Sequence, residues 1–437
     1  MAGPGVVVPN NMKSPDSELI SISELRVGLY IELDLGWMSH PFPTGSFKIT
    51  SPRQIEIIRT LGLKQVRWVP SKSDPPADDP SSHSGFSNSE AARQLDAERE
   101  VAVRRAALLE RQQKSLRQCE RKFNVAQQLY TRVQEFALDN PAQMRDDCVS
   151  MVAQITQEMS CDGEVAIRLL SEGVGERSAM HPVNVAVMCL LLGRSMALDA
   201  KSLMDLGLAA FLHDIGKLQL PSRVRHFDES LTQDELRLYQ DHVARSAAIV
   251  ARMHLGEGVL TAVGQHHEMM DGSGFPMRPS SEVLTMPAKI LALVNRYDNL
   301  CNPHRVALAM TPHEALSLLF AMHKQRFDNG VLSAFIRMMG VYPPGSVVQL
   351  IDGRYALVVS VNSIRPLKPR VIVFDADVPK HEALILDLEQ LPNVAIRRSL
   401  KPGALPPDAM DYLAPRQRIA YYFESSGPSP LESQTGV

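Results

Sequence analysis

Between roughly Pro141 and Gly340 the chain reads as one helix after another, and no other feature limits its fold so firmly. Apolar side chains recur at helical spacing in Val185, Met188 and Leu192, and again in Leu203, Leu206 and Ala210. Thr232-Gln-Asp-Glu235 matches a capping box, whose two side chains satisfy backbone N–H groups that a helix start leaves without partners. Beyond Pro343-Pro344 the pattern changes to a period of two. Val347 to Leu350 and Tyr355 to Val361 flank an Asp352-Gly353 turn, and Val371 to Phe374 predicts a further strand. The expected fold class is therefore mainly α: a helical core over 141–342, a β-rich segment over 343–424, and a Ser-, Gly- and Pro-rich disordered tail over 425–437.

The first 140 residues are built differently. Residues 1–18 are rich in Gly, Pro, Asn and Ser and bury too little to offset the entropy of ordering, so disorder is expected there. A small α+β domain is expected over 19–70. It has a β-like run from Val27 to Leu33, a helix opened by Ser51 and Pro52 and closed at Gly62, and a strand from Lys64 to Val69. A linker rich in Pro, Ser and Asp covers 71–90, and a long amphipathic helix covers 91–140. In that helix Leu95, Ala102, Leu109, Leu116, Phe123 and Tyr130 form a heptad series, but the companion positions Glu98, Arg105 and Gln112 are polar until Cys119, Ala126 and Val133. Half a seam is compatible with a homodimer through this helix or with a helix packed on its own domain. The incomplete stripe favours the second.

A chain of 437 residues exceeds what one hydrophobic core usually serves, so two or three domains are expected. A net charge of -3 and a pI near 6.5 give no global attraction for a nucleic acid polymer or an anionic lipid, so any phosphate recognition is local. Cys119, Cys148, Cys161, Cys189 and Cys301 show no CxxC pair and no regular spacing, which argues against a zinc knuckle or a disulfide framework and fits a reducing compartment. The N-terminus lacks a signal-peptide pattern, and the apolar stretch around Val185 to Leu192 is far too short to span a bilayer. The expectation is a cytoplasmic protein that any membrane signal reaches through a signalling protein partner.

The chemistry is concentrated in the helical core. His181 begins one apolar helix, His213-Asp214 ends another ahead of Gly216 and Lys217, and His242 lies inside a third. His266-His267-Glu268 then precede Asp271-Gly272-Ser273-Gly274-Phe275-Pro276. Helix ends and inner faces converging on one point are how helical proteins assemble metal sites from distant segments. Several imidazoles beside one carboxylate suit iron, manganese or zinc better than magnesium or calcium. Neighbouring side chains on a helix point about 100° apart, so the His-Asp and His-His pairs can each serve two ions, with Asp214 as a bridge. Two ions about 4 Å apart can activate a water and hold a phosphodiester for in-line attack. Taken singly, His181 or His242 is more simply a core histidine, Lys217 a helix-end lysine facing the dipole, and the Gly-Ser-Gly-Phe-Pro run a tight turn. In this order and together they point to a site. His40, His83, His226, His254, His304, His313 and His323 have no such company and read as surface or structural residues.

These segments resemble the HD-GYP domain family over about residues 140–340, with Phe275 where the family carries Tyr. Ile20-Ser-Ile-Ser-Glu-Leu-Arg-Val-Gly-Leu-Tyr30 is similar to a small domain of unknown role that often precedes it. The resemblance implies an HD-type core and a metal-dependent phosphodiesterase that hydrolyses cyclic di-GMP to the linear dinucleotide or GMP. It implies two divalent ions, iron or manganese, on His181, His213, Asp214, His242, His266 and His267. By the same resemblance Asp214 and Lys217 are catalytic, Lys217 touches a substrate phosphate, and Asp271, Gly272, Gly274, Phe275, Pro276 and Arg305 contact the substrate. Three further features depart from the family pattern. Asn295, in Ala292-Leu-Val-Asn295-Arg-Tyr-Asp298, stands where a metal-ligating Asp is the rule and offers a neutral carbonyl instead, with Asp298 a weaker candidate to replace it. Arg177 stands where members with three metals carry Glu, which argues against a third ion, and Asn302-Pro-His-Arg305 replaces an Arg-Pro-Tyr-Arg run. The competing reading is a catalytically degenerate module that binds a nucleotide or a protein without turnover. A one-metal nucleotide phosphohydrolase ranks last, because it relies on the Asp that Asn295 replaces.

Overall fold

The computed structural model describes residues 17–33, 42, 45–61, 63–75, 87–160, 164–174, 177–322, 325–362, 365–391 and 393–426. The chain divides into two units, Met1–Arg105 and Ala106–Val437. In the first, β1 (Glu18–Ser21), β2 (Tyr30–Glu32), β3 (Ser46–Lys48), α1 (Pro52–Thr60) and β4 (Gln65–Trp68) follow in order, and the strands form an antiparallel sheet ordered β1-β4-β2-β3. Ile31, Ile49, Ile58 and Val66 are buried in a core of its own. The strand expected from Val27 begins only at Tyr30, because Gly28 turns the chain at φ +96° and donates its N–H to the Ile49 carbonyl at 2.7 Å. Only Gly adopts that conformation without strain.

The long helix α2 runs Ser87–Phe136. Val101, Val103 and Leu108 are exposed along it, whereas Cys119, Phe123, Ala126, Tyr130 and Val133 are buried in the core of the second unit. The later half of the heptad series thus packs on its own domain. Helix α3 (Pro141–Ser160), strand β5 (Glu164–Leu169), α4 (Arg177–Ser195) and α5 (Ala200–Leu212) follow. They are succeeded by α6 (Gln233–Gln240), α7 (His242–Arg252), α8 (Glu257–Gln265), α9 (Met286–Cys301), α10 (Pro312–Met322) and α11 (Asn329–Met339). Helix α4 is apolar all round from Val185 to Leu192 and sits at the centre, as an all-apolar helix must. Gly207 lets α5 approach its neighbours: a Cβ there would meet Val152 at 2.6 Å and Leu190 at 2.8 Å. The fold class is mainly α, and no helix among the described residues is long and apolar enough to cross a membrane.

The C-terminal part contains β6 (Val347–Leu350), β7 (Tyr355–Asn362), β8 (Arg370–Val373), β9 (Ile385–Asp387), β10 (Ile396–Leu400), helix α12 (Pro407–Leu413) and β11 (Tyr421–Ser426). Its sheet runs β10-β6-β7-β5-β11, with β8 on β7 and β9 on β8. Strand β5, from within the helical region, therefore lies between β7 and β11, so this sheet is built into the helical unit. The Tyr421 hydroxyl donates to the Pro344 carbonyl at 3.0 Å and lies 3.1 Å from the Tyr297 hydroxyl of α9. That contact brings the start of β11 beside the helices that carry the chemistry.

Candidate metal centre

Helix ends place the side chains. His181 lies one turn into α4, His213 follows the last residue of α5, and Asp214 leaves the helix at φ -103°, ψ 5° before a 3-10 turn over Ile215–Gln219. Gly216 makes that turn fit: a Cβ would meet the Ser246 backbone nitrogen at 2.4 Å and the His242 carbonyl oxygen at 2.5 Å. The Gly216 N–H donates to Ser246 Oγ at 2.9 Å, which seats the turn on the start of α7. His242 is the first residue of α7 rather than an interior one, and this brings it beside Asp214. His266 and His267 follow the last residue of α8.

Two groups of potential ligand atoms result, each with its atoms within 4.8 Å of one another: His181, His213 and Asp214; and Asp214, His242, His266 and His267. Asp214 belongs to both. His213, His242 and His266 each donate Nδ1–H to the carbonyl three residues earlier, Ala210 at 2.7 Å, Tyr239 at 2.6 Å and Val263 at 2.6 Å. This assigns the lone pair to Nε2 in each ring. Those nitrogens face other imidazoles: His213 Nε2 lies 3.2 Å from His181 Nε2, and His242 Nε2 lies 3.4 Å from His266 Nε2. Asp214 Oδ1 and His267 Nε2 are buried with no hydrogen-bond partner. Buried acceptors that converge without donors are costly unless a cation completes them. The donor set therefore fits divalent metal.

The electrostatics agree. Burial pushes the Asp214 carboxyl up, but Lys217 and His213 outweigh it and hold the group well below the usual carboxylate range. Burial pushes His242 down to about 4 and His266 and His267 well below the ordinary imidazole value, so all three are neutral at pH 7. Burial also lowers His181, but its hydrogen bonds to Asp214 and Asp298 outweigh this and hold it up at about 9. A divalent ion would take the place of that proton.

Behind His181 lies a layer that sequence reasoning did not assemble. Asp298 Oδ2 is 2.6 Å from His181 Nδ1, and Asp298 Oδ1 accepts from the amides of Asn184 at 2.9 Å and Asn302 at 3.0 Å. Both amides also donate to the Ile419 carbonyl, at 2.7 and 2.8 Å. Asp298 is thus used up in orienting His181. Asn295, also buried, accepts from Asn299 Nδ2 at 2.6 Å through its own Oδ1. The signal for Asp298 was present, three residues after Asn295 on one helix face; that for Asn184 and Ile419 was not, since their partners are more than a hundred residues away.

A cleft of about 400 Å³ opens beside His181 and Asp214, within the range of small-molecule sites. Lys217, Arg225, His226, His304 and Arg418 line it with Tyr130 and Gln134 of α2, and Asp214 is the one acidic residue among the lining groups. Lys217 Nζ lies 2.6 Å from Asp214 Oδ2 and 5.4 Å from the centre of the Tyr239 ring. His226 and His304, read from sequence as surface or structural residues, stack at 4.1 Å on the cleft wall. The loop over 271–276 has another place. Phe275 stacks on His267 at 4.4 Å, and Gly274 is pressed against the His267–Glu268 backbone, where a Cβ would meet the His267 carbonyl oxygen at 2.4 Å. Glu268 accepts from the N–H groups of Met277 at 2.6 Å and Arg278 at 3.0 Å, and Asp271 Oδ1 accepts from Ser273. Gly272, at φ +73°, turns the loop, and Pro276 follows Phe275 through a cis bond. Of these loop residues, Gly274 and Phe275 pack against His267, while Asp271 and Pro276 are exposed. Arg305 pairs with Asp228 at 2.6 Å.

Fold and site define a helical metallohydrolase-type centre, and comparison with known proteins agrees. The HD domain family matches residues 151–331, and a domain of unknown function, DUF3391, matches 17–160. A Pseudomonas aeruginosa protein named cyclic di-GMP phosphodiesterase PA4108 is 25% identical over 375 residues, covering 81% of this chain and 84% of that protein. The cyclic di-GMP phosphodiesterase PdeB of Borreliella burgdorferi is 26% identical over 44% of this chain and 51% of its own length. The 3'3'-cGAMP-specific phosphodiesterase 1 of Vibrio cholerae is 24% identical over 44% and 46%. Residues 151–331 thus match an HD domain, and this is the stretch whose motifs resemble those of the HD-GYP family.

Proposed function

We propose that this chain is a metal-dependent phosphodiesterase that hydrolyses cyclic di-GMP to the linear dinucleotide or GMP. The observation that carries the reading is a pair of buried donor groups joined by one carboxylate, Asp214, at the floor of a basic cleft. The names of the relatives support the choice of substrate. His181 and His213 would hold one divalent ion and His242, His266 and His267 a second, with Asp214 shared; iron or manganese suits this mixture of imidazole and carboxylate. When bound, the ions would supply an activated water and positive charge for the phosphodiester.

The rest is done by the chain's own groups. Asp214 stays ionised because Lys217 and His213 outweigh the effect of burial. Lys217, held between Asp214 and the Tyr239 ring, places a fixed ammonium beside a phosphoryl oxygen, where a pre-positioned charge counts for more than in water. His213, His242 and His266 are locked by their backbone partners in the tautomer that leaves Nε2 for a cation. Turnover of cyclic di-GMP, followed by chromatography on protein reconstituted with manganese or iron(II), tests the proposal. Linear dinucleotide or GMP formed only by the metal-loaded protein supports it; absence of product with both metals bound overturns it.

A further inference from the structure

One wall of the cleft comes from the segment between α12 and β11, beyond the residues that match the HD domain. Arg418 lines the cleft, and backbone carbonyls fix its guanidinium: Nη1 donates to Asn302 at 3.2 Å and Pro303 at 2.8 Å, and Nη2 to His304 at 3.3 Å. The next residue is anchored as firmly, its N–H donating to Asn302 Oδ1 at 2.8 Å. Arg418 therefore belongs to the wall formed by 302–304. Lys217 and Arg225 line the same cleft: Arg225 donates Nε–H to the Leu220 carbonyl at 2.9 Å and Nη2–H to Leu218, so it is tied to the turn that carries Lys217. The lone acidic residue lining the cleft, Asp214, is already paired with Lys217.

A cyclic dinucleotide carries two phosphodiesters on opposite sides of its ring. With one of them at the metal centre beside Lys217, the other needs a second cation lining the same cleft; Arg418 is one, and a guanidinium suits recognition of phosphate oxygens. We infer that Arg418 binds the second, unreacted phosphate of the substrate, an inference that rests on the phosphodiesterase reading above. The C-terminal segment is then part of the substrate site, and Arg418 selects for a diester that has a second phosphate.

The test uses full-length, metal-loaded protein and two substrates, cyclic di-GMP and the small diester bis-p-nitrophenyl phosphate, which has one phosphate. Arg418→Ala raises KM for cyclic di-GMP about 10- to 100-fold, the loss expected for a charge-assisted contact. Its kcat falls much less, and hydrolysis of the small diester changes far less than that of the dinucleotide. Arg418→Lys recovers part of the lost affinity. Equal losses on both substrates would make Arg418 a strut for the 302–304 turn and overturn the inference, as would an unchanged KM for the dinucleotide. Calorimetric binding of cyclic di-GMP to the same preparations separates this from the parent reading. Wild-type protein that cleaves the small diester but neither binds nor cleaves the dinucleotide refutes both. Wild-type protein that binds the dinucleotide no more tightly than Arg418→Ala refutes the inference alone.

Discussion

Replacing Asp298 by Ala removes the carboxylate that holds His181, and the structure sets the size of the effect. Asp298 is fully buried and serves His181 Nδ1, Asn184 and Asn302. In Asp298→Ala the two amides keep the Ile419 carbonyl, at 2.7 and 2.8 Å, whereas His181 Nδ1 loses its acceptor. One orphaned buried donor costs about 1–3 kcal/mol, and the small void left behind adds to it, for roughly 2–4 kcal/mol of stability in all. Loss of an outer-layer partner of a metal-ligating histidine weakens metal binding by about 10- to 100-fold. The two donor groups should respond unequally, because Asp298 touches only the group containing His181. Competition between the metal-free protein and a fluorescent chelator for manganese reads both sites, and circular dichroism confirms that the variant is folded. One site weakened by that factor and the other changed by no more than a few-fold is the expected result. A folded variant with both affinities unchanged would refute the assignment of Asp298 as the group that orients His181.

Three further outcomes follow from the geometry. In chelator-treated protein, burial holds His242 at about 4 against an ordinary 6.5, so the unfolded chain binds that proton more tightly; its contribution to stability is intact above pH 6.5 and is lost as pH falls toward 4, by about 2 kcal/mol near pH 5. His181, raised to about 9, contributes fully below 6.5 and loses its contribution only as pH rises toward 9, so it cannot mask the acid effect; urea titrations near pH 7 and pH 5 that give equal stability would contradict this. Gly216→Ala should destabilise by about 1–3 kcal/mol or more, since the added Cβ meets the α7 backbone at 2.4 and 2.5 Å; an unchanged melting temperature would show that the turn is not seated as described. Lys217→Ala should lower kcat on cyclic di-GMP by about 100-fold, and wild-type turnover would remove the ammonium from the reaction.

The helical core and its candidate ligands were legible because periodicity, caps and breakers are local. His213-Asp214 at a helix end and the His266-His267 pair announce themselves without knowledge of the fold, and the structure brings both to one point with His181 and His242. The strands Val347–Leu350 and Tyr355–Asn362 were legible for the same reason, with Gly353 at φ +91° in the turn between them. What was not legible depends on pairing across the chain. Strand β5 is six residues of mixed character and becomes a strand because β7 and β11 flank it. Arg418, Asn302 and Asn184 look like ordinary polar residues until β11 is laid against α4 and α9. The loop over 271–276 shows the converse: its motif is conspicuous, yet its glycine and aromatic ring are used in packing behind His267.

The central claim is that one carboxylate serves both donor groups. Elemental analysis of anaerobically purified wild-type protein and of folded Asp214→Ala tests it most directly. Two metal ions per chain in the wild type and loss of both from the variant is the predicted result. A variant that keeps one ion tightly, or a wild type that binds a single ion, would contradict a centre shared through Asp214.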